Sequence, residues 1–176
     1  MRIAQIKNLD IANGPGCRVS VFVSGCTRGC PGCFNQAAWD FEYGEPFDNK
    51  MLERIINLVL NPRISGLSIL GGEPFEPSNR REVLRLIQSV RDCTPEKDIW
   101  CFTGYTIDEL IDSYSTMPYT LDMLKAIDVL VDGPFLIDQK NLALQFRGSA
   151  NQRIIDIKKS INRNKIVLWK DRYDNY

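Results

Sequence analysis

Short apolar runs alternate along the chain with stretches of helical periodicity, and the runs lead into loops that contain glycine. Arg18-Val19-Ser20-Val21-Phe22-Val23 carries valines at alternate positions, which predicts a strand. Leu67-Ser68-Ile69-Leu70, Ile99-Trp100-Cys101-Phe102 and Asp128-Val129-Leu130-Val131 predict three more, and Leu142-Ala143-Leu144-Gln145-Phe146 a fifth. Between them Met51, Leu52, Ile55, Ile56, Leu58 and Val59 share one helical face, as do Val83, Leu84, Ile87 and Val90. Thr106-Ile107-Asp108-Glu109 has the form of a capping box that opens a third helix, and Thr120 to Ala126 predicts a fourth. This alternation predicts an α/β fold with a mainly parallel sheet, whose functional loops lie outside the carboxyl ends of the strands.

Length narrows the architecture. A complete βα barrel needs about 250 residues, so 176 residues predict one open, partial parallel barrel in a single domain spanning 1–176. Ile154-Ile155-Asp156-Ile157 and Ile166-Val167-Leu168-Trp169 read as a terminal hairpin or edge strands, which makes 154–176 a C-terminal hairpin or appendage. With 22 basic and 22 acidic residues the formal charge is zero, which argues against nucleic acid as a partner. No apolar run reaches the roughly 18 residues of a membrane helix. The start Met1-Arg2-Ile3-Ala4-Gln5-Ile6-Lys7 lacks the apolar core of a signal peptide, so the expected setting is cytoplasmic.

The predicted Arg18 to Val23 strand runs directly into Cys26-Thr27-Arg28-Gly29-Cys30-Pro31-Gly32-Cys33, which supplies three thiols with the spacing C-x3-C-x2-C. A structural zinc site normally takes four ligands, whereas a cubane held by three thiolates keeps one iron open to a small molecule. The chain has no histidine, so zinc would need Cys17, Cys93, Cys101 or a carboxylate as its fourth ligand. Disulfides suit an oxidising compartment and fit this chain poorly. Pro31, Gly25, Gly29 and Gly32 favour a tight bend that brings the sulfurs together. Zinc stays open as an alternative at this point. A second loop, Gly71-Gly72-Glu73-Pro74, follows the second predicted strand; its glycines permit close backbone approach to a ligand, and Glu73 offers an acceptor for a cation. A plain turn with an exposed glutamate is the competing reading.

Together these loops resemble the signature of the radical S-adenosylmethionine enzymes. Asn13-Gly14-Pro15-Gly16, Ser24-Gly25-Cys26, Cys30-Pro31-Gly32-Cys33-Phe34-Asn35, Trp39, Gly104-Tyr105, Val131-Asp132-Gly133 and Arg147-Gly148-Ser149-Ala150-Asn151-Gln152 are more narrowly similar to the activating proteins of the anaerobic ribonucleoside-triphosphate reductase, over residues 13 to 155. The resemblance implies a partial barrel of the radical S-adenosylmethionine type and a 4Fe-4S cluster on Cys26, Cys30 and Cys33. It implies S-adenosylmethionine bound along Gly32, Cys33, Phe34, Gly71, Gly72 and Glu73, with no catalytic residue beyond the cluster and cofactor ligands. Many members place an aromatic residue immediately before the third cysteine; here Gly32 stands there and Phe34 follows Cys33. The implied partners are the reductase, as a protein substrate carrying a glycine, and a one-electron donor such as flavodoxin.

Two other functions share these residues: activation of a different glycyl-radical enzyme, and a non-enzymatic role as an iron-sulfur electron carrier or a zinc-stabilised binding module. A ferredoxin closes each iron with cysteine, and no fourth cysteine lies in this loop. Trp39 and Trp100 read as core aromatics, and Cys17, Cys93 and Cys101 as small buried apolar residues. Arg147, Ser149, Asn151 and Gln152 read either as nucleotide contacts or as a surface loop.

Overall fold

The computed structural model describes residues 1–113 and 115–170. Along the chain run β1 (Arg2–Asp10), β2 (Arg18–Val23), β3 (Glu45–Pro46), α1 (Asn49–Val59), β4 (Gly66–Gly71), α2 (Arg80–Cys93), β5 (Asp98–Phe102), α3 (Ile107–Asp112), α4 (Thr120–Ala126), β6 (Val129–Asp132), β7 (Arg153–Asp156) and α5 (Ile157–Arg163). The seven strands form one open sheet in the order β3-β1-β2-β4-β5-β6-β7. Its centre, β2-β4-β5-β6, is parallel, and β1, β3 and β7 extend it antiparallel at the two edges. Four parallel strands thus point their carboxyl ends the same way, which is what gathers their exit loops.

Period-two alternation divides the central strands between two environments. Val19, Val21, Val23, Leu67, Ile69, Ile99, Cys101 and Leu130 join Ile55, Val59, Val83 and Ile87 of the helices in the main core. At about 1.5 to 3 kcal/mol for each large apolar side chain buried, this layer fixes the sheet. The alternate positions build the other face. There Trp100, Val129 and Val131 pack with Phe102, Phe146, Ile154 and Trp169, and the Trp100 and Trp169 rings meet edge-on at 5.0 Å. Arg18 is fully buried on this face, where its guanidinium donates to Ser68 Oγ, Leu67 O and Asp98 Oδ1 and lies 5.5 Å from the Trp100 ring. A buried cation survives there because hydrogen bonds and a carboxylate replace its water.

Helix starts follow the local chemistry. Asp48 caps α1 by accepting from Met51 N–H, and Thr106 and Glu109 form the reciprocal capping box of α3. Three features depart from the sequence reading. β1 was not legible, since only Ile3 of its nine residues is buried. Residues 142–146 form no strand; Leu142 is 91% exposed, and Lys140 and Ser149 make only an isolated bridge. At the chain end, strand β7 covers Arg153–Asp156 and helix α5 begins at Ile157, while Leu168 returns to bridge Ile155. Of the expected appendage 154–176, residues 171–176 lie outside the described residues.

Candidate functional site

Glycines bend the chain where β2 and β4 end, and the two exits press together. Gly71 closes β4 at φ +113°, and a Cβ there would lie 2.7 Å from the backbone N and O of Val23. On Gly72 a Cβ would come within 2.5 Å of the Gly25 carbonyl oxygen. Only glycine permits this approach. Gly72 N–H donates to Val23 O at 2.7 Å and Glu73 N–H to Gly25 O at 2.8 Å, so the glycine loop is stitched to the residue before Cys26.

A cavity of about 470 Å³ opens beside this seam. Cys26, Cys30, Cys33, Gly32 and Phe34 line one side, and Gly71, Gly72 and Glu73 another. All eight positions named from sequence thus meet at one cavity, with Phe34 at its rim and 83% exposed. The three thiols are free and half-buried. Among the described residues no group of three or more His, Cys, Asp or Glu side chains is drawn together around a single metal ion.

Burial sets the protonation of the two most enclosed groups. Glu73 is 1% exposed, and its carboxyl is pushed up to about 7 by loss of water, against donors that favour the ionised form. Those donors are Phe75 N–H at 2.9 Å, Gly104 N–H at 2.7 Å and the Thr103 hydroxyl at 2.8 Å. Glu73 is therefore no exposed turn residue. The Cys26 thiol is pushed up to about 11, chiefly by burial, with Glu73 and Glu76 adding to the rise. A protonated thiol at neutral pH is a poor nucleophile, whereas a bound metal drives off the proton. Ligation by Cys26 would likewise require loss of that proton, which a bound metal favours and the burial opposes.

Several residues at the site were not anticipated. Glu76 and Asn79 continue the glycine loop and are both buried. Asn79 Nδ2 donates to Ser24 O at 2.9 Å and to Glu73 O at 3.0 Å, bridging the exits of β2 and β4. Glu76 and Asn79 follow Glu73 at three and six residues, but their partners lie 49 and 55 residues away in the sequence, so spacing alone did not single them out. Arg28 stacks 4.5 Å from the Tyr105 ring and stands 4.0 Å from Glu109, covering the β5 exit from within the cysteine loop. Trp39 is half-buried and lines the cavity, and its carbonyl accepts from Cys26 N–H at 3.2 Å. Trp100, by contrast, is wholly in the core.

The segment 135–152 forms the far side of the cavity. Gln152 holds it closed on itself: Oε1 accepts from Gly148 N–H at 2.8 Å, and Nε2 donates to Gly133 O at 3.0 Å. Asn151 Nδ2 donates to Pro134 O at 2.8 Å, and Arg147 lines the cavity. Of the remaining cysteines only Cys101 is buried; Cys17 is half-buried and Cys93 is exposed at the end of α2, so the expectation of three buried thiols fails at two positions.

Thiols and a glycine loop gathered at the carboxyl ends of parallel strands define a class, and comparison with known proteins agrees. Residues 12–155 match the family described as a 4Fe-4S single cluster domain. The chain is 45% identical over 157 residues to the anaerobic ribonucleoside-triphosphate reductase-activating protein of Vibrio cholerae, covering 88% of this chain and 97% of the relative. It is 43% identical to the protein of that name from Escherichia coli, over 86% and 96% of the two chains. The protein of that name from Enterobacteria phage T4 is 38% identical, over 88% and 93%. The chain belongs to the family of anaerobic ribonucleoside-triphosphate reductase-activating proteins.

Proposed function

We propose that this chain activates an anaerobic ribonucleoside-triphosphate reductase by generating a glycyl radical on it, as one domain over 1–176 with an open partial barrel of the radical S-adenosylmethionine type. A 4Fe-4S cluster held by Cys26, Cys30 and Cys33 would supply the one electron for reductive cleavage of S-adenosylmethionine to methionine and a 5'-deoxyadenosyl radical, which would take a hydrogen atom from a backbone glycine of the reductase. A one-electron donor, with flavodoxin as the candidate, restores the electron. A reducing cytoplasm suits six free cysteines.

One observation carries this reading: three thiols from one loop and Gly71, Gly72 and Glu73 share a single cavity in a chain of this family. Three sulfur donors along a cavity of about 470 Å³ suit a group larger than one ion, so Cys26, Cys30 and Cys33 are assigned as its ligands. Gly32, Phe34 and the Gly71-Gly72 backbone line the nucleotide's place beside it. Glu73 has acceptor sites beyond its three internal donors, since a carboxylate offers about four. It is therefore assigned to the ammonium group of the methionine part. Leu142 and Phe34 line the same cavity and are largely exposed, which offers an approaching protein loop an apolar contact.

The test is label transfer. Reductase carrying α-deuterated glycine, incubated anaerobically with the reduced, reconstituted protein and S-adenosylmethionine, is expected to place deuterium in 5'-deoxyadenosine and to develop a glycyl electron-spin signal. Cleavage without either result removes the reductase as substrate. Success only with another glycyl-radical enzyme changes the partner and keeps the chemistry.

A further inference from the structure

We infer that Glu76 is a positioning residue for the cysteine loop, fixing Thr27 and through it the stretch of chain that carries Cys26 into the cavity. This rests on the assignment of Cys26, Cys30 and Cys33 as cluster ligands. Glu76 is 3% exposed, and its Oε1 accepts from both Thr27 N–H at 2.6 Å and Thr27 Oγ at 2.5 Å. It takes part in no ion pair among the described residues. An acid withdrawn from water without a cation is costly, so its two donors are what holds it there.

The anchor behind Glu76 is firm. Its N–H donates to Glu73 O at 3.1 Å, and its carbonyl accepts from Asn79 N–H at 2.9 Å and Arg80 N–H at 3.1 Å, which makes it part of the turn that opens α2. α2 in turn buries Val83, Leu86 and Ile87 completely. Three side chains spaced three apart thus reach three separate targets. Glu73 holds the β5 exit, Asn79 the Ser24 carbonyl, and Glu76 the residue after Cys26. Asn79 and Glu76, in the turn that opens α2, grip the chain on either side of Gly25-Cys26, and with the backbone bond from Cys26 N–H to Trp39 O they set the position of the first thiol. Beyond Thr27 the loop has local ties: Cys33 N–H to Cys30 O at 3.1 Å and Asn35 N–H to Cys33 Sγ at 3.4 Å.

The experiment compares Glu76→Ala, Thr27→Val and Glu76→Gln in the full chain after anaerobic reconstitution. Three quantities are read: the rate of iron loss to a chelator, the electron-spin spectrum of the reduced cluster with S-adenosylmethionine present, and the melting point of the metal-free protein. Glu76→Ala is expected to lose iron ~10-fold or more faster and to alter the spectrum, as removal of outer-shell support of a metal site does. Thr27→Val, which keeps the backbone donor, is expected to show a smaller acceleration in the same direction. Glu76→Gln keeps an oxygen that accepts both bonds and should restore the wild-type rate.

A lower melting point for Glu76→Ala with iron loss and spectrum unchanged would reduce Glu76 to a purely structural acid and overturn the inference. Should Glu76→Ala fail to fold, Thr27→Val decides: iron loss at the wild-type rate overturns the inference. Cys26→Ala separates the two readings. If it keeps its cluster, the ligand assignment fails and this inference falls with it; if it loses its cluster while Glu76→Ala behaves as wild type, only the role of Glu76 falls.

Discussion

Two loops face each other across the cavity, and they are held in opposite ways. In residues 71–79 three polar side chains turn inward: Glu73, Glu76 and Asn79 are buried, and each has a hydrogen bond to a different neighbouring segment. In residues 26–34 Pro31, Gly32 and Phe34 are exposed, and Gly29 has open space around it. The first loop is finished by the fold alone. The second presents three thiols to the cavity. Such a division suits a site in which the protein fixes one wall and a bound group completes the other.

The largest effect should come from the open loop. On the proposed ligand assignment, Cys26→Ala, Cys30→Ala or Cys33→Ala each removes one of three protein ligands, and each variant is expected to lose the cluster and all cleavage of S-adenosylmethionine. Cys93→Ala, at the exposed end of α2, should keep both. Iron and sulfide analysis after anaerobic reconstitution checks this. Loss of the cluster in Cys93→Ala with retention in Cys33→Ala would reverse the contrast between the loops.

A smaller effect is expected from the finished loop. Glu73→Ala should leave iron content intact and weaken S-adenosylmethionine binding by roughly ten- to a hundredfold, the loss of a charge-assisted hydrogen bond worth about 1.5 to 3 kcal/mol. Equilibrium binding to the reconstituted variant measures it. Unchanged affinity would leave Glu73 as a tie between β4 and β5 with no ligand of its own.

The same contrast explains what the sequence disclosed. The central strands were legible because parallel strands covered on both faces need β-branched and apolar runs, as in Val19 to Val23 and Leu67 to Leu70. Thr106 to Glu109 announced α3 because capping is a local interaction. β1 stayed hidden because a strand with one buried residue among nine carries little pattern, and Leu142 to Phe146 misled because apolar residues on a loop beside a cavity imitate a strand. At the site, the thiols and glycines could be named from residue type and spacing. Glu76 and Asn79 could not, since their partners, Thr27 and Ser24, are 49 and 55 residues away and only the fold brings them close. Cys93 was misplaced for a related reason: the final turn of α2 rotates it outward, and composition says nothing of that.

The subtlest test concerns protons at Glu73. Burial raises its carboxyl from 4.5 to about 7, so between these values the folded chain holds a proton that the unfolded chain has released. Stability contributed through this group is therefore greatest below about pH 4.5, falls as pH rises toward 7, and is level above that. The total change is roughly 3 kcal/mol at most. Glu73→Gln removes the titration, so the stability of the wild type relative to this variant should decline from pH 5 to pH 8 in urea unfolding of the metal-free protein. Parallel curves would mean that the three donors to Glu73 compensate fully for its lost water. An ammonium group beside Glu73 favours the ionised form and should reverse the trend. The stabilisation that S-adenosylmethionine gives the reconstituted wild type should accordingly grow with pH up to about 7, and that given to Glu73→Gln should not. Equal pH dependence in both proteins would move the ammonium away from Glu73 while leaving its place in the finished loop intact.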